Sequence, residues 1–158
     1  MANKTAQILV TSHVETVFTN GVFDIVHRGH LELLRYCKAR PSRTHVVVAI
    51  DSDRSVKSLK GDSRPINNEE DRKFFLESLR DVDEVVVFDS QEDLYDLIKK
   101  IKPDLIVKGG DYAKEEVLGG DIADVYIFNC LKKDGVKVSS SSLIEKIQKN
   151  IDPDKKLK

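Results

Sequence analysis

The sequence predicts an α/β fold: one domain built on a parallel β-sheet flanked by helices. Two observations carry this. Short β-rich runs alternate with helical patterns along the chain, the order that gives a parallel sheet covered on both faces. The 158 residues, 40% hydrophobic and 34% charged, also suit one soluble globular domain. A chain of this size buries roughly two-thirds of its unfolded surface, so it needs neither disulfides nor a structural metal. Residues 1–151 are expected to form the domain, and residues 152–158 (Asp-Pro-Asp-Lys-Lys-Leu-Lys) a polar tail.

The elements read in order as a strand over 16–19, a helix over 31–37, a strand over 46–50, a helix over 68–79, a strand over 85–88, a helix over 94–101, strands over 105–107 and 125–128, and a helix over 143–151. The helix signal is clearest at Leu94, Leu97, Ile98 and Ile101, an i, i+3, i+4, i+7 stripe that Pro103 stops. Asn67 with Glu70, and Ser142 with Glu145, have capping-box spacing and predict two further helix starts.

Lys and Arg number 26 against 27 Asp and Glu, and a net charge of -1 gives no general field toward nucleic acid or an anionic membrane. Any anion site must be local. The longest apolar run is 46–50, and Ile8-Leu9-Val10 is too short for the apolar region of a signal peptide, so a cytoplasmic protein is expected. Cys37 and Cys130 lie far apart without C-x-x-C or Cys/His clustering, which predicts two reduced thiols rather than a metal or redox site.

Ligands of open parallel sheets sit beyond the carboxyl ends of the strands. The segments 20–30, 51–65, 108–112 and 129–142 follow strands and are rich in Gly, Ser, Asp, Lys or His. The first reads Asn20-Gly21-Val22-Phe23-Asp24-Ile25-Val26-His27-Arg28-Gly29-His30 and runs from a strand into a helix. A helix start presents free N–H groups and the positive end of the dipole to phosphate. Gly21 and Gly29 let phosphate approach the backbone, and His27 and His30, three residues apart, fall on one side. A zinc site is the weaker option, because no third and fourth ligand stand at a suitable spacing. In Lys108-Gly109-Gly110-Asp111 the glycines permit close approach, and Asp111 is placed to accept from base or ribose. The run Ser139-Ser140-Ser141-Ser142 suits either a phosphate site or an N-cap.

The 20–30 segment resembles the G-x-F-D-x-x-H-x-G-H motif of the cytidylyltransferase-like nucleotidyltransferases. Two further segments, Leu59-Lys60-Gly61-Asp62-Ser63-Arg64-Pro65-Ile66-Asn67 followed by Glu70-Asp71-Arg72, and Pro103-Asp104-Leu105-Ile106-Val107-Lys108-Gly109-Gly110-Asp111-Tyr112, resemble the adenylyltransferase domain of bacterial ADP-heptose synthases. The resemblance spans about residues 17–147 and omits the sugar-kinase domain of that family, so a monofunctional chain is expected.

The resemblance implies a Rossmann-like nucleotidyltransferase fold, ATP and a phosphorylated small-molecule acceptor as substrates, Mg2+ entering with ATP, and a possible homodimer. By motif position it makes His27, His30, Lys60 and Arg72 the catalytic set, and Lys57 and Lys60 the acceptor-phosphate cations. It assigns Asn20, Gly21, Val22, Phe23, Asp24, His27, Arg28, Gly29, His30, Lys108, Gly109, Asp111 and Ser139 to Ser142 to the nucleotide. Without the resemblance, Lys57, Lys60, Arg64 and Arg72 also fit a solvated basic face. The acceptor expected is a heptose 1-phosphate. The alternatives are glycerol-3-phosphate cytidylyltransferase, a FAD synthetase-like or pantetheine-phosphate-like adenylyltransferase, and, outside catalysis, a nucleotide-binding module serving a partner.

Overall fold

A computed structural model describes residues 13–110, 112–129 and 139–150. Five strands, β1 (Glu15–Gly21), β2 (Thr44–Asp51), β3 (Glu84–Phe88), β4 (Leu105–Gly109) and β5 (Asp124–Phe128), form one all-parallel sheet in the order β3-β2-β1-β4-β5. Helices α1 (Arg28–Lys38), α2 (Asp53–Lys60), α3 (Glu69–Glu77), α4 (Gln91–Ile101) and α5 (Ser140–Asn150) complete the chain, with a 3-10 turn over Lys114–Glu116. The α/β fold expected from the alternation is the one observed.

The core divides by strand face, as alternating side chains require. On one side Val17, Val46, Val48, Ile50, Leu105 and Val107 meet Leu33, Leu34 and Cys37 of α1 and Leu76 of α3. On the other Phe18, Val47, Ala49, Ile106 and Val125 meet Leu94 and Ile98 of α4. Val46 to Ile50 are all buried, which explains a continuous apolar run rather than an alternating one. Burial also pushes the Cys37 thiol up to about 12, so it packs as an apolar group. Cys130 and the tail lie outside the described residues.

Helices α1 and α4 each start three residues earlier than the sequence reading, and three other helices differ from it in kind or in cap. Helix α2 was not foreseen: it is eight residues long with one buried side chain, Val56, so it leaves no periodic stripe. It starts because Ser52 caps it, accepting from Ser55 N at 3.1 Å. Helix α3 is capped by Asn68, which accepts from Asp71 N at 2.8 Å, not by Asn67. Helix α5 starts at Ser140, two residues before the predicted cap Ser142: Ser142 N donates to Ser139 Oγ at 3.1 Å, and Ser139 N donates back to Ser142 Oγ at 2.9 Å.

The strand order reverses between β1 and β4, the place where an open sheet forms its crevice. Their ladder pairs Val17 with Leu105 and Phe18 with Ile106, and both strands continue beyond it.

Candidate active site

Past the end of that ladder the Lys108 ammonium bridges the two strands, donating to the Asn20 carbonyl at 3.2 Å and to Asn20 Oδ1 at 3.0 Å. Burial pulls its pKa below the ordinary lysine value, with Asp51 at the end of β2 opposing the shift. The Tyr112 ring lies 5.2 Å from the ammonium. Gly109 carries no side chain because a Cβ there would stand 2.6 Å from Leu33 Cδ1; α1 packs directly against the end of β4. Asp111 lies outside the described residues.

The β1–α1 connection holds the histidine pair. His27 is the N-cap of α1, its Nδ1 accepting from Gly29 N at 3.1 Å. The backbone N–H of His27 in turn donates to Nδ1 of His30 at 3.4 Å. The rings stack with centroids 3.8 Å apart, and Phe23 closes against His30 at 4.8 Å. Each Nδ1 is an acceptor, so the proton of each neutral imidazole sits on Nε2, away from the helix backbone. Burial lowers the pKa of both; that of His30 falls to about 3 through burial, then the neighbouring His27, then the charge of Lys60. At neutral pH the pair is therefore two uncharged N–H donors at a helix N-terminus, not two cations.

Lys60, whose charge reaches His30, is exposed at the last turn of α2, as is Lys57. The unforeseen helix is thus what brings Lys60 to the histidine pair. Arg28 is turned outward, its Nε donating to Glu32 Oε1 one turn along α1 at 2.6 Å.

Two residues expected at the ligand are held by internal bonds in this structure. The Asp24 side chain is 1% exposed and both its oxygens are taken: Oδ2 by Arg64 Nε at 2.9 Å, and Oδ1 by the backbone N–H groups of Ile66 and Asn67, each at 2.9 Å. Asn67 Nδ2 also donates to the Asp24 carbonyl at 2.6 Å. The Arg72 side chain is 0% exposed, donating from Nε to the Asn67 carbonyl, from Nη1 to the Val22 carbonyl and from Nη2 to Asp53 Oδ1 at 3.0, 2.8 and 2.9 Å. Helix α3 turns it inward, whereas the sequence reading placed it on phosphate. Asp24 and Arg72 thereby shape the loop over 22–27.

The serine run does both local jobs of a cap and a tether. Ser140 Oγ donates to the Ile25 carbonyl at 2.9 Å, fixing the start of α5 to the histidine loop. Arg64 was read only as part of a basic face; the signal that could have separated it is its position beside Pro65 in a segment with an acidic partner, Asp24, 40 residues away. Among the described residues no group of three or more His, Cys, Asp or Glu side chains could hold a metal ion, and no helix is long and apolar enough to cross a membrane.

The chain is similar to known proteins in sequence and in fold. The chain is 53% identical over 108 residues to the bifunctional protein HldE of Aliarcobacter butzleri strain RM4018, a match covering 68% of this chain and 22% of that protein. It is 43% identical over 146 residues to the bifunctional protein HldE of Helicobacter acinonychis strain Sheeba, covering 92% and 30%. The chain therefore spans under a third of the length of these relatives. Among solved structures, the lipopolysaccharide core biosynthesis protein from Thermoplasma volcanium GSS1 matches with a TM-score of 0.58 and 26% identity over 77% of this chain and 100% of that one. The profile of the family described as cytidylyltransferase-like matches residues 18–146. With a helix-start histidine pair at the switch point of a parallel sheet and a family match over most of its length, the chain belongs to the cytidylyltransferase-like family.

Proposed function

We propose that this chain transfers AMP from ATP to a sugar 1-phosphate of the heptose type, releasing pyrophosphate and giving an ADP-sugar. The observation that carries the reading is the stacked His27–His30 pair, which leaves two neutral Nε2–H donors beside Lys60 at the start of α1. Such a site is built for charge on phosphate oxygens. The identity with HldE proteins and the likeness to a lipopolysaccharide core biosynthesis protein support a heptose acceptor over glycerol 3-phosphate.

An acceptor phosphate oxygen attacks the α-phosphorus, a new P–O bond forms, and the bond to the bridging oxygen breaks as pyrophosphate leaves. A phosphate oxyanion needs no general base, so catalysis rests on positioning and charge stabilisation. His27 and His30 donate to the triphosphate, Lys57 and Lys60 bring the acceptor phosphate in, and Asn20, Lys108 and Gly109 border the nucleotide. Mg2+ enters as part of the substrate, held by triphosphate oxygens and water.

Pyrophosphate release, measured with ATP or CTP against heptose 1-phosphate, glycerol 3-phosphate, FMN and 4′-phosphopantetheine, tests this. ATP with the heptose 1-phosphate is expected to exceed CTP by about a hundredfold or more in kcat/KM, since a site hydrogen-bonded to one base leaves polar groups unpaired with the other. Rapid turnover of CTP with glycerol 3-phosphate would overturn the substrate assignment.

A further inference from the structure

Arg64 is the basic residue of the segment over 61–67. Its side chain is 11% exposed, its Nε is bound to Asp24, and its Nη2 is the buried side-chain polar atom among the described residues that has no hydrogen-bond partner. A buried guanidinium N–H without an acceptor is costly and rare, so it marks a missing oxygen. The carboxylate beside it does not supply one: Asp24 accepts from Arg64 Nε, Ile66 N and Asn67 N, and not from Nη2.

The position of this orphaned donor narrows what the missing oxygen belongs to. Asp24 stands three residues before His27, and the segment carrying Arg64 begins directly after Lys60, whose charge reaches His30. The guanidinium therefore joins the loop that leads to His27 to the segment that follows Lys60. The turn next to it, over 61–63, is exposed, and Gly61 (φ 89°) has no heavy atom within 4 Å of where a Cβ would be. A planar guanidinium whose Nε is fixed by a carboxylate and whose Nη2 N–H groups are spare is suited to an oxyanion.

We propose that Arg64 is a further anion-binding residue of this site, held by Asp24 so that its Nη2 takes an oxygen of a substrate phosphate. This rests on reading the cleft as a phosphate site. The oxygen belongs either to the triphosphate or to the acceptor phosphate, and the two are separable by binding.

The test uses the full chain. Calorimetry measures MgATP binding to wild type, Arg64→Gln and Arg64→Lys, and then inorganic phosphate binding to each protein saturated with a non-hydrolysable ATP analogue. Both variants are expected to bind one probe about tenfold more weakly or worse, the lysine failing because it lacks the fork. A loss on MgATP assigns Arg64 to the triphosphate, and a loss on phosphate assigns it to the acceptor. Folded variants that bind both probes with wild-type affinity would overturn the proposal. If neither variant folds, 15N NMR of the wild-type guanidinium decides: Arg64 signals must move on saturation with one probe, and signals unmoved by both overturn the assignment. Adenylyl transfer can fail with every acceptor while Arg64 still binds phosphate, and a variant can transfer normally with wild-type affinities; the first outcome removes the proposed function alone, the second this inference alone.

Discussion

The guanidinium of Arg72 donates to the carbonyl of Val22 at 2.8 Å, across fifty residues of sequence. One cation thereby joins α3 to the loop that carries His27, and through Asp53 to the start of α2. The three segments that shape the cleft are pinned from behind.

Removing that pin should act on stability before kinetics. Arg72→Ala leaves Asp53 and the carbonyls of Val22 and Asn67 without their donor, and breaking a buried pair costs about 3–5 kcal/mol. Arg72→Lys should fall in between, since one ammonium cannot span all three acceptors. Urea unfolding of both variants checks this. Wild-type stability with only a raised KM would instead return Arg72 to direct phosphate contact.

The histidines should separate capping from catalysis. His27→Asn keeps a side-chain acceptor for Gly29 N but lacks the Nε2–H, so the helix start should survive while turnover falls roughly 10²–10³-fold, as for a lost oxyanion donor. His30→Gln should lose a similar factor. Steady-state rates beside thermal melts report the two effects, and near-normal turnover in either folded variant contradicts the phosphate role.

Acid should weaken the fold through His30. Its folded pKa is lowered to about 3, against about 6.5 for an unperturbed histidine. Between those values the unfolded chain binds a proton that the folded chain refuses, so this group makes stability fall as pH drops from about 6.5 toward 3 and contributes no slope above. Urea midpoints at pH 7.5 and pH 5 should differ less in His30→Gln than in wild type. An equal difference would mean that His30 titrates normally in the folded protein.

Gly109→Ala should couple packing to binding. The new Cβ would lie 2.6 Å from Leu33 Cδ1, within the contact between β4 and α1. Overpacking of this kind costs typically about 1–3 kcal/mol. Because α1 begins at the histidine pair, nucleotide affinity should weaken as well. Leu33→Ala in the same chain should recover part of the affinity by making room; no recovery in the double variant would show that the two residues do not meet.

Much of this was legible in the sequence because it is local. The buried run over 46–50 announces a central strand, the Leu94–Leu97–Ile98–Ile101 stripe announces α4, and the His27-x-Gly29-His30 spacing by itself places two imidazoles at a helix start. Those signals depend on neighbours within one or two turns, and the structure reproduces them. Helix α2 escaped because one buried side chain makes no periodicity, so Lys57 and Lys60 were known by motif and not by position.

The sequence by itself determined the α/β class, the strand-to-helix histidine motif and the local charge near it, since backbone period, glycine placement and helix-start chemistry are short-range properties. The tertiary structure alone decided what each charge faces. Asp24 and Arg64 meet across 40 residues, Arg72 and Val22 across 50, and Lys108 and Asn20 across 88. A polar side chain in a motif is free for a ligand only when no protein partner has claimed it, and those partners come from distant segments that the sheet order β3-β2-β1-β4-β5 brings together. Folding therefore turned Asp24 and Arg72 into internal clamps and left one nitrogen of Arg64 without a partner.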